Sequence, residues 1–300
     1  MLRGPLGRIG REGFGHAFRS VEQDFSFFLD GIDRFVVWIL GQDNVSYRQN
    51  ANFPAMFRAR GPIAGMYIDK FLQTHRTPVL DAEDVAAVDA SAARTATFNA
   101  RQIFVRQHTP LSQCTLLLDG FVERFKDTPD GRRQILAIHV PGDFVDLHSY
   151  PLKRLEHSVA ALTDIKVAIF PHAAIRELTA RSATITELLW KSTMIDAAIN
   201  REWIVSIGAR GAAVRLAHLF CEMFVRLERA GMASGTTFDL PLTQVDLADA
   251  TGLTAVHANR MLRQLREDGL VTFRQGVVEI VDWDRLRAFA EFDPTYLFLD

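Results

Sequence analysis

Cysteine, excess basic charge and long apolar runs are all scarce in this 300-residue sequence, and each scarcity closes off a class of function. Cysteine occurs only at Cys114 and Cys221. Two thiols so far apart cannot build a disulfide framework, a four-cysteine zinc site or an all-cysteine iron–sulfur cluster. Both read as small buried hydrophobes, with a redox-responsive thiol as the alternative. No apolar run approaches the roughly 20 residues that span a bilayer, since the greasiest stretch, Phe25–Leu40, is broken by Asp30, Asp33 and Arg34. The N-terminus opens with Arg3, Arg8 and Arg11 but lacks the uninterrupted apolar segment of a secretory signal. A cytoplasmic protein with no membrane partner is therefore expected. The net charge is −2, and from Gly208 to Asp300 ten Arg stand against thirteen Asp and Glu, a balance of −3. No global basic field advertises a nucleic-acid partner, so any such partner must be argued locally. Paired carboxylates at useful spacing, a nucleophile motif and a metal triad are all missing, so no enzyme is expected and no catalytic or metal-ligating residue is assigned.

A hydrophobic fraction of 48% and a charged fraction of 23% fit a soluble globular protein, and the length suffices for two modest domains. Residues 1–65 form an extension with eight Arg and no Lys. Phe25, Phe28, Leu29, Ile32, Val36 and Ile39 recur near helical spacing there and allow a short helix over Val21–Leu40. Met66 is an alternative start of translation. From Asp81, a candidate cap for a helix over Ala82–Asp89, the pattern becomes regular. Strands are predicted over Arg94–Asn99, Gln102–Gln107, Cys114–Asp119, Phe121–Lys126, Gln134–Val140, His157–Ala161 and Lys166–Phe170. Thr109-Pro110, Asp119-Gly120, Pro129-Asp130-Gly131 and Pro141-Gly142-Asp143 punctuate them. Many short strands with frequent turns argue for a β-sandwich or jelly roll over 66–182.

A helix from about Thr184 to Ile207 follows. Ile185, Leu188, Ser192, Ile195 and Ile199 alternate three and four apart, a narrow seam suited to a second helix from another subunit or to the chain's own barrel. Gly208 and Gly211 mark a hinge before a C-terminal domain over 208–300. Within that domain Thr243 caps a helix over Gln244–Ala250, Gly252 breaks it, and Thr254 caps a second helix running to about Asp268. Ala248 permits the close crossing of a helix-turn-helix, and Gly252 supplies the left-handed turn residue. Ala258, Met261, Leu262 and Leu265 share one face of the second helix. Val256, Arg260 and Arg263 point the other way, with His257 and Asn259 on the flanks, and no acid lies between Thr254 and Arg266. Arg260 suits guanine O6 and N7, Asn259 an adenine or a phosphate, and Val256 a thymine methyl. Thr254 and Arg263 suit the DNA backbone. Leu270–Phe273 and Val277–Val281 flank Arg274-Gln275-Gly276, a hairpin that forms a wing with Arg274 at its tip.

From about Thr97 to Val281 the chain resembles the Crp–Fnr regulators. The likeness rests on the strand–Asp119-Gly120–strand element, Pro141-Gly142-Asp143-Phe144, the long helix, Leu247-Ala248-Asp249-Ala250-Thr251-Gly252-Leu253-Thr254 and Asn259-Arg260-Met261-Leu262. The resemblance implies an α+β chain. Its parts are an N-terminal β jelly roll (a double-stranded β-helix sensor resembling a cyclic-nucleotide-binding domain), a dimerisation helix over 183–207 and a winged helix-turn-helix. A homodimer bound to a palindromic double-stranded operator is implied, with RNA polymerase as a further partner of an activator. Nucleotide-binding members hold the cyclic phosphate with an Arg, but the matching stretches here read Val145-Asp146-Leu147 and His157-Ser158-Val159. The phosphate thus loses its bidentate partner. An effector other than cyclic AMP is expected around Asp146, Leu147, His157 and Ser158, and no cofactor is assigned. Nor are the cysteines of the oxygen-sensing members present. Ala255-Val256 replaces the Arg-Glu pair that precedes the shared Arg in the cyclic AMP receptor protein, so a different operator is expected. His139, His148, His157 and His172 lie in or beside the barrel without diagnostic metal spacing. The competing reading is a ligand-binding or scaffolding protein whose winged helix contacts protein, which the net negative C-terminal half favours.

Overall fold

Glycine turns and short apolar strands organise the first half as their spacing predicts. The computed structural model describes residues 67–74 and 80–299, so the extension and the helix expected over Val21–Leu40 lie outside the described residues. Helices α1 (Ile68–Thr74) and α2 (Ala82–Ser91) come first. Asp81 caps α2, its carboxylate accepting from Asp84 N at 2.7 Å. Seven strands follow: β1 (Arg94–Phe98), β2 (Ile103–Val105), β3 (Gln113–Asp119), β4 (Val122–Asp127), β5 (Arg133–His139), β6 (Ser158–Ala161) and β7 (Ile165–Pro171), with the single-turn helix α3 (Ser149–Leu152) between β5 and β6. They form two antiparallel sheets, ordered β1-β7-β3 and β2-β6-β4-β5. Leu117, Val122, Val145, Val159 and Val167 are fully buried between them. The β3–β4 turn requires glycine. Gly120 has φ +83°, and a Cβ there would fall 2.4 Å from the Asp164 carbonyl oxygen. Cys114 and Cys221 are both buried, and burial pushes both thiols above their ordinary range, so neither presents a thiolate.

Helix α4 (His172–Arg181) leads into the long helix α5 (Ala183–Ala209), which Ser182 caps by accepting from Ile185 N at 3.2 Å. The seam read from the sequence faces inward. Ile185, Leu188, Ser192 and Ile195 are buried and Ile199 half-buried, so they do not form a surface for another subunit. Ile185 and Leu188 join the core of Cys114, Phe144, Phe170 and Ile175. A different face is exposed, with Trp190 67% and Ile204 70% accessible alongside Met194 and Val205. Three-and-four spacing identifies an apolar seam but not its partner, and this helix carries two such seams. Helix α5 runs through Gly208 and ends where Arg210 turns extended, so the boundary falls at residues 210–211.

Helix α6 (Ala212–Arg229) was not anticipated from the sequence, yet it is the axis of the C-terminal half. Around it stand β8 (Ala233–Ser234), β9 (Thr237–Asp239), α7 (Gln244–Thr251), α8 (Ala255–Glu267), β10 (Val271–Arg274), β11 (Val277–Ile280), α9 (Trp283–Phe289) and a 3₁₀ turn at Pro294–Leu297. The wing is a four-stranded sheet, ordered β10-β11-β9-β8, rather than an isolated hairpin. Leu216, Phe220, Met223 and Leu227 of α6 share one core with Leu247, Leu265 and Val278 of the winged helix. The same core takes in Phe121, Ile135, Ile138 and Leu162 of the barrel. Burying side chains of this size stabilises each by roughly 1.5–3 kcal/mol, so the two halves are held together by apolar packing as well as by the polar contacts below.

Candidate nucleic-acid interface

Local capping fixes both helices of the helix-turn-helix. Thr243 Oγ1 accepts from Asp246 N at 3.1 Å, and Thr243 N donates to Asp246 Oδ2 at 2.7 Å, which completes a capping box on α7. Gly252 ends α7 at φ +64°, and Thr254 caps α8 by accepting from His257 N at 3.2 Å. The small residues Ala248 and Ala258 are buried along with Leu247 and Leu265, so the two helices cross closely.

The opposite face of α8 is open. Val256 is 82% accessible, and Asn259, Arg260 and Arg263 are also exposed, while His257 is half-buried. These four exposed residues line one cleft of about 430 Å³ with Ala255 and with Gln244 of α7. Arg260 forms no ion pair among the described residues, whereas Arg263 Nε lies 2.7 Å from Glu267 Oε1. Thr254 is exposed, and its cap leaves the hydroxyl proton free to donate. Arg274 is exposed at the end of β10, next to Gln275 (φ +51°) and Gly276 (φ +79°), whose left-handed pair closes the hairpin. The structure therefore groups Val256, Asn259, Arg260 and Arg263 on one surface, with Thr254 at its helix start and Arg274 on the separate wing. Gln244 was missed, although its place directly after a capping Thr was a usable signal.

Polar contacts dock this head on the barrel. Arg101 grips Asp246 with both guanidinium arms, at 2.6 and 2.7 Å, and Gln134 Nε2 donates to Asp249 O at 2.7 Å. Burial would raise the Asp246 carboxyl, but the Arg101 and Thr243 hydrogen bonds hold it below the usual range. Beside it, burial pushes Glu123 up to about 7 against the opposing pull of Arg133 at 3.1 Å. Deeper in, Arg226 of α6 donates to Asp143 Oδ2 at 2.6 Å, to Ile138 O at 3.0 Å and to Glu222 Oε1 at 3.3 Å. Glu222 also accepts from Trp203 Nε1 at 3.0 Å and from Tyr296 OH at 2.9 Å.

The residues expected to surround an effector are buried or hydrogen-bonded within the chain, and His157 Nε2 is buried without a partner among the described residues. Asp146 accepts from Thr115 N at 2.5 Å and Thr115 Oγ1 at 3.0 Å, and burial pushes its carboxyl up to about 7. Leu147 packs into the core, Ser158 Oγ accepts from Gln107 N at 3.2 Å, and His157 Nδ1 lies 3.0 Å from Glu156 Oε1. A cavity of about 40 Å³, room for one water, is lined instead by His139, Asp143, Ser192, Asp196 and Arg226. Arg124 spans the barrel interior, donating to Val145 O at 2.7 Å and to Asp196 on α5 at 2.5 Å. Burial, and secondarily the Arg124 charge, depresses the nearby His148 to about 3. His139 faces Asp143 and His172 faces Ser149. Among the described residues no three His, Cys, Asp or Glu side chains converge as metal ligands.

Residues 95–182 match the cyclic nucleotide-binding domain and residues 214–289 the Crp-like helix-turn-helix domain, together more than half of the chain. A probable transcriptional activator of Rhizobium leguminosarum is 28% identical over 169 residues, covering 55% of this chain and 69% of that protein. The transcriptional activator protein FnrL of Cereibacter sphaeroides is 27% identical, over 57% of this chain and 69% of its own length. Among solved structures, FixK2 from Bradyrhizobium japonicum superposes with a TM-score of 0.60 at 23% identity, covering 65% of this chain and 96% of that one.

Proposed function

The chain belongs to the Crp–Fnr family of transcriptional regulators, and from that premise we propose that it binds a palindromic operator as a homodimer, under the control of an effector other than cyclic AMP. It is a sequence-specific DNA-binding regulator, and one observation carries the reading of its operator face. A capped helix presents Val256, Asn259, Arg260 and Arg263 outward, on a head whose core and docking contacts lie behind that face. Arg260, without an ion-pair partner among the described residues, reads guanine in the major groove, and Asn259 and Val256 read its neighbours. Thr254, His257, Arg263 and the wing's Arg274 serve the phosphate backbone.

The exposed face of α5 supports the dimer. Trp190, Met194, Ala197, Arg201, Ile204 and Gly208 alternate four and three apart, the repeat that pairs two helices in a coiled coil. Two heads related by that axis read two half-sites about one helical turn apart. His157, standing where the family's phosphate-binding Arg is expected, and Asp146, spent on Thr115, support an effector other than cyclic AMP. A cytoplasmic location and a partnership with RNA polymerase follow if, like its named relatives, the protein activates transcription. Selection of operators from a random duplex pool tests the reading. Wild-type protein enriches a palindrome, and Arg260→Ala weakens it by about 1–3 kcal/mol per half-site while relaxing one base position. Unchanged specific binding by Arg260→Ala would overturn the assignment of α8 as the reading helix.

A further inference from the structure

We propose that Gln244 and Asn259 act as one reading unit, in which Gln244 from the first helix positions the Asn259 amide for a base edge. This rests on the operator face described above. Asn259 Nδ2 donates to Gln244 Oε1 at 2.7 Å, a side-chain contact between residues 15 apart on two different helices. Both residues are exposed and line the same cleft as Arg260 and Val256, so the pair lies on the reading surface rather than beneath it.

The anchor of this pair is rigid. Gln244 is the first residue of α7, inside the Thr243–Asp246 capping box, and Asp246 is itself held by Arg101 from the barrel. A lone exposed Asn samples several rotamers and can turn to a phosphate as readily as to a base. Here one Nδ2 proton is already given to Gln244, which leaves Oδ1 and one N–H of Asn259 in a restricted orientation. An acceptor and a donor on one planar group match the N6 donor and N7 acceptor of adenine. Gln244 keeps both Nε2 protons for the DNA, as a contact to a phosphate or a neighbouring base. Once DNA excludes water from the cleft, the amide–amide bond no longer competes with solvent, and its positioning effect is largest in the complex. Gln244 is thus a specificity determinant although it lies outside the recognition helix.

Operator selection followed by affinity measurement on single-base variants tests this, with Gln244→Ala, Asn259→Ala, the double variant and Gln244→Glu. Gln244→Ala is expected to relax discrimination roughly five- to tenfold at the same base pair that Asn259→Ala relaxes, with the double variant no worse than either. The preference set by Arg260 stays intact. Gln244→Glu keeps an acceptor for Nδ2 but adds a negative charge near phosphate, so it retains the base preference while overall affinity falls. Additive single effects, or a uniform loss of affinity in Gln244→Ala without changed preference at that base pair, would overturn the pairing. A wild-type pool with no enriched sequence would instead overturn the operator reading, and the pairing with it.

Discussion

Arg226→Met isolates the electrostatic part of the joint between barrel and DNA-binding head. Methionine keeps much of the aliphatic stem and removes the guanidinium, which stands between Asp143 Oδ2 at 2.6 Å and Glu222 Oε1 at 3.3 Å and also caps Ile138 O. Both carboxylates are buried, Glu222 completely. Removing one partner of such a cluster ordinarily costs about 3–5 kcal/mol, because the remaining charges stay desolvated and unbalanced. Other donors soften the loss: Glu222 keeps Trp203 and Tyr296, and Asp143 keeps Val140 N at 3.1 Å and His139. The expected loss is therefore about 3 kcal/mol, toward the lower end of that range. Urea unfolding followed by tryptophan fluorescence measures it. The deficit should shrink as pH falls toward the raised carboxyl range. Burial already raises the Glu222 carboxyl, with Arg226 opposing that rise, and without Arg226 it rises further. A carboxyl whose folded pKa exceeds its unfolded value binds its proton more tightly in the folded state, so acidification favours folding through that range. A loss below about 1 kcal/mol, or one independent of pH, would refute the reasoning.

Two further outcomes follow from other parts of the molecule. Glu123, pushed up to about 7 by burial, destabilises the fold when ionised, so wild-type stability should fall as pH rises from the ordinary value of 4.5 to about 7 and level off above it. Glu123→Gln should flatten that fall in melting curves between about pH 4.5 and 8, and an unchanged pH profile would remove Glu123 as its source. If the protein is the proposed homodimer, Ile204→Glu on the exposed seam of α5 should convert it to monomer in sedimentation experiments without lowering the melting temperature of the monomer, since Ile204 is 70% accessible. A dimer that persists would place the subunit interface elsewhere.

The strands and the helix-turn-helix were legible because each is specified locally. Gly120 and Gly252 occupy left-handed positions that a neighbouring residue cannot mask, and Thr243 and Thr254 cap the helices they precede. Helix α6 carries a readable pattern too, since Arg215, His218, Glu222, Arg226 and Arg229 recur three or four apart against Leu216, Phe220, Met223 and Leu227. What the sequence conceals is that His218, Glu222 and Arg226 on that polar stripe are buried. The partners of these polar groups were equally invisible, since Arg226 meets Asp143 across 83 residues and Arg101 meets Asp246 across 145. The contacts of the residues expected around an effector were not legible in the sequence, because their partners lie far along the chain. Asp146, for instance, binds the backbone and hydroxyl of Thr115.

The charge balance of the C-terminal half, which spoke against DNA binding in the sequence, loses weight once the buried and capping acids are located. Asp246 is consumed by Arg101 and by its own capping box, and Glu222 by Arg226, Trp203 and Tyr296. Asp249 sits in the field of Arg133, while Asp282 and Asp293 cap α9 and the final turn. Glu267 and Asp268 stand at the C-terminal end of the reading helix, and Glu267 pairs with Arg263. Several of the acids are thus taken up by the barrel or by their own backbone, and Arg260 and Arg274 are exposed without ion-pair partners among the described residues. A protein whose net field does not attract DNA gains little from nonspecific contact. Its discrimination must then rest on the base edges that Arg260 and the Gln244–Asn259 pair reach, which is why the first helix matters to what the second one reads.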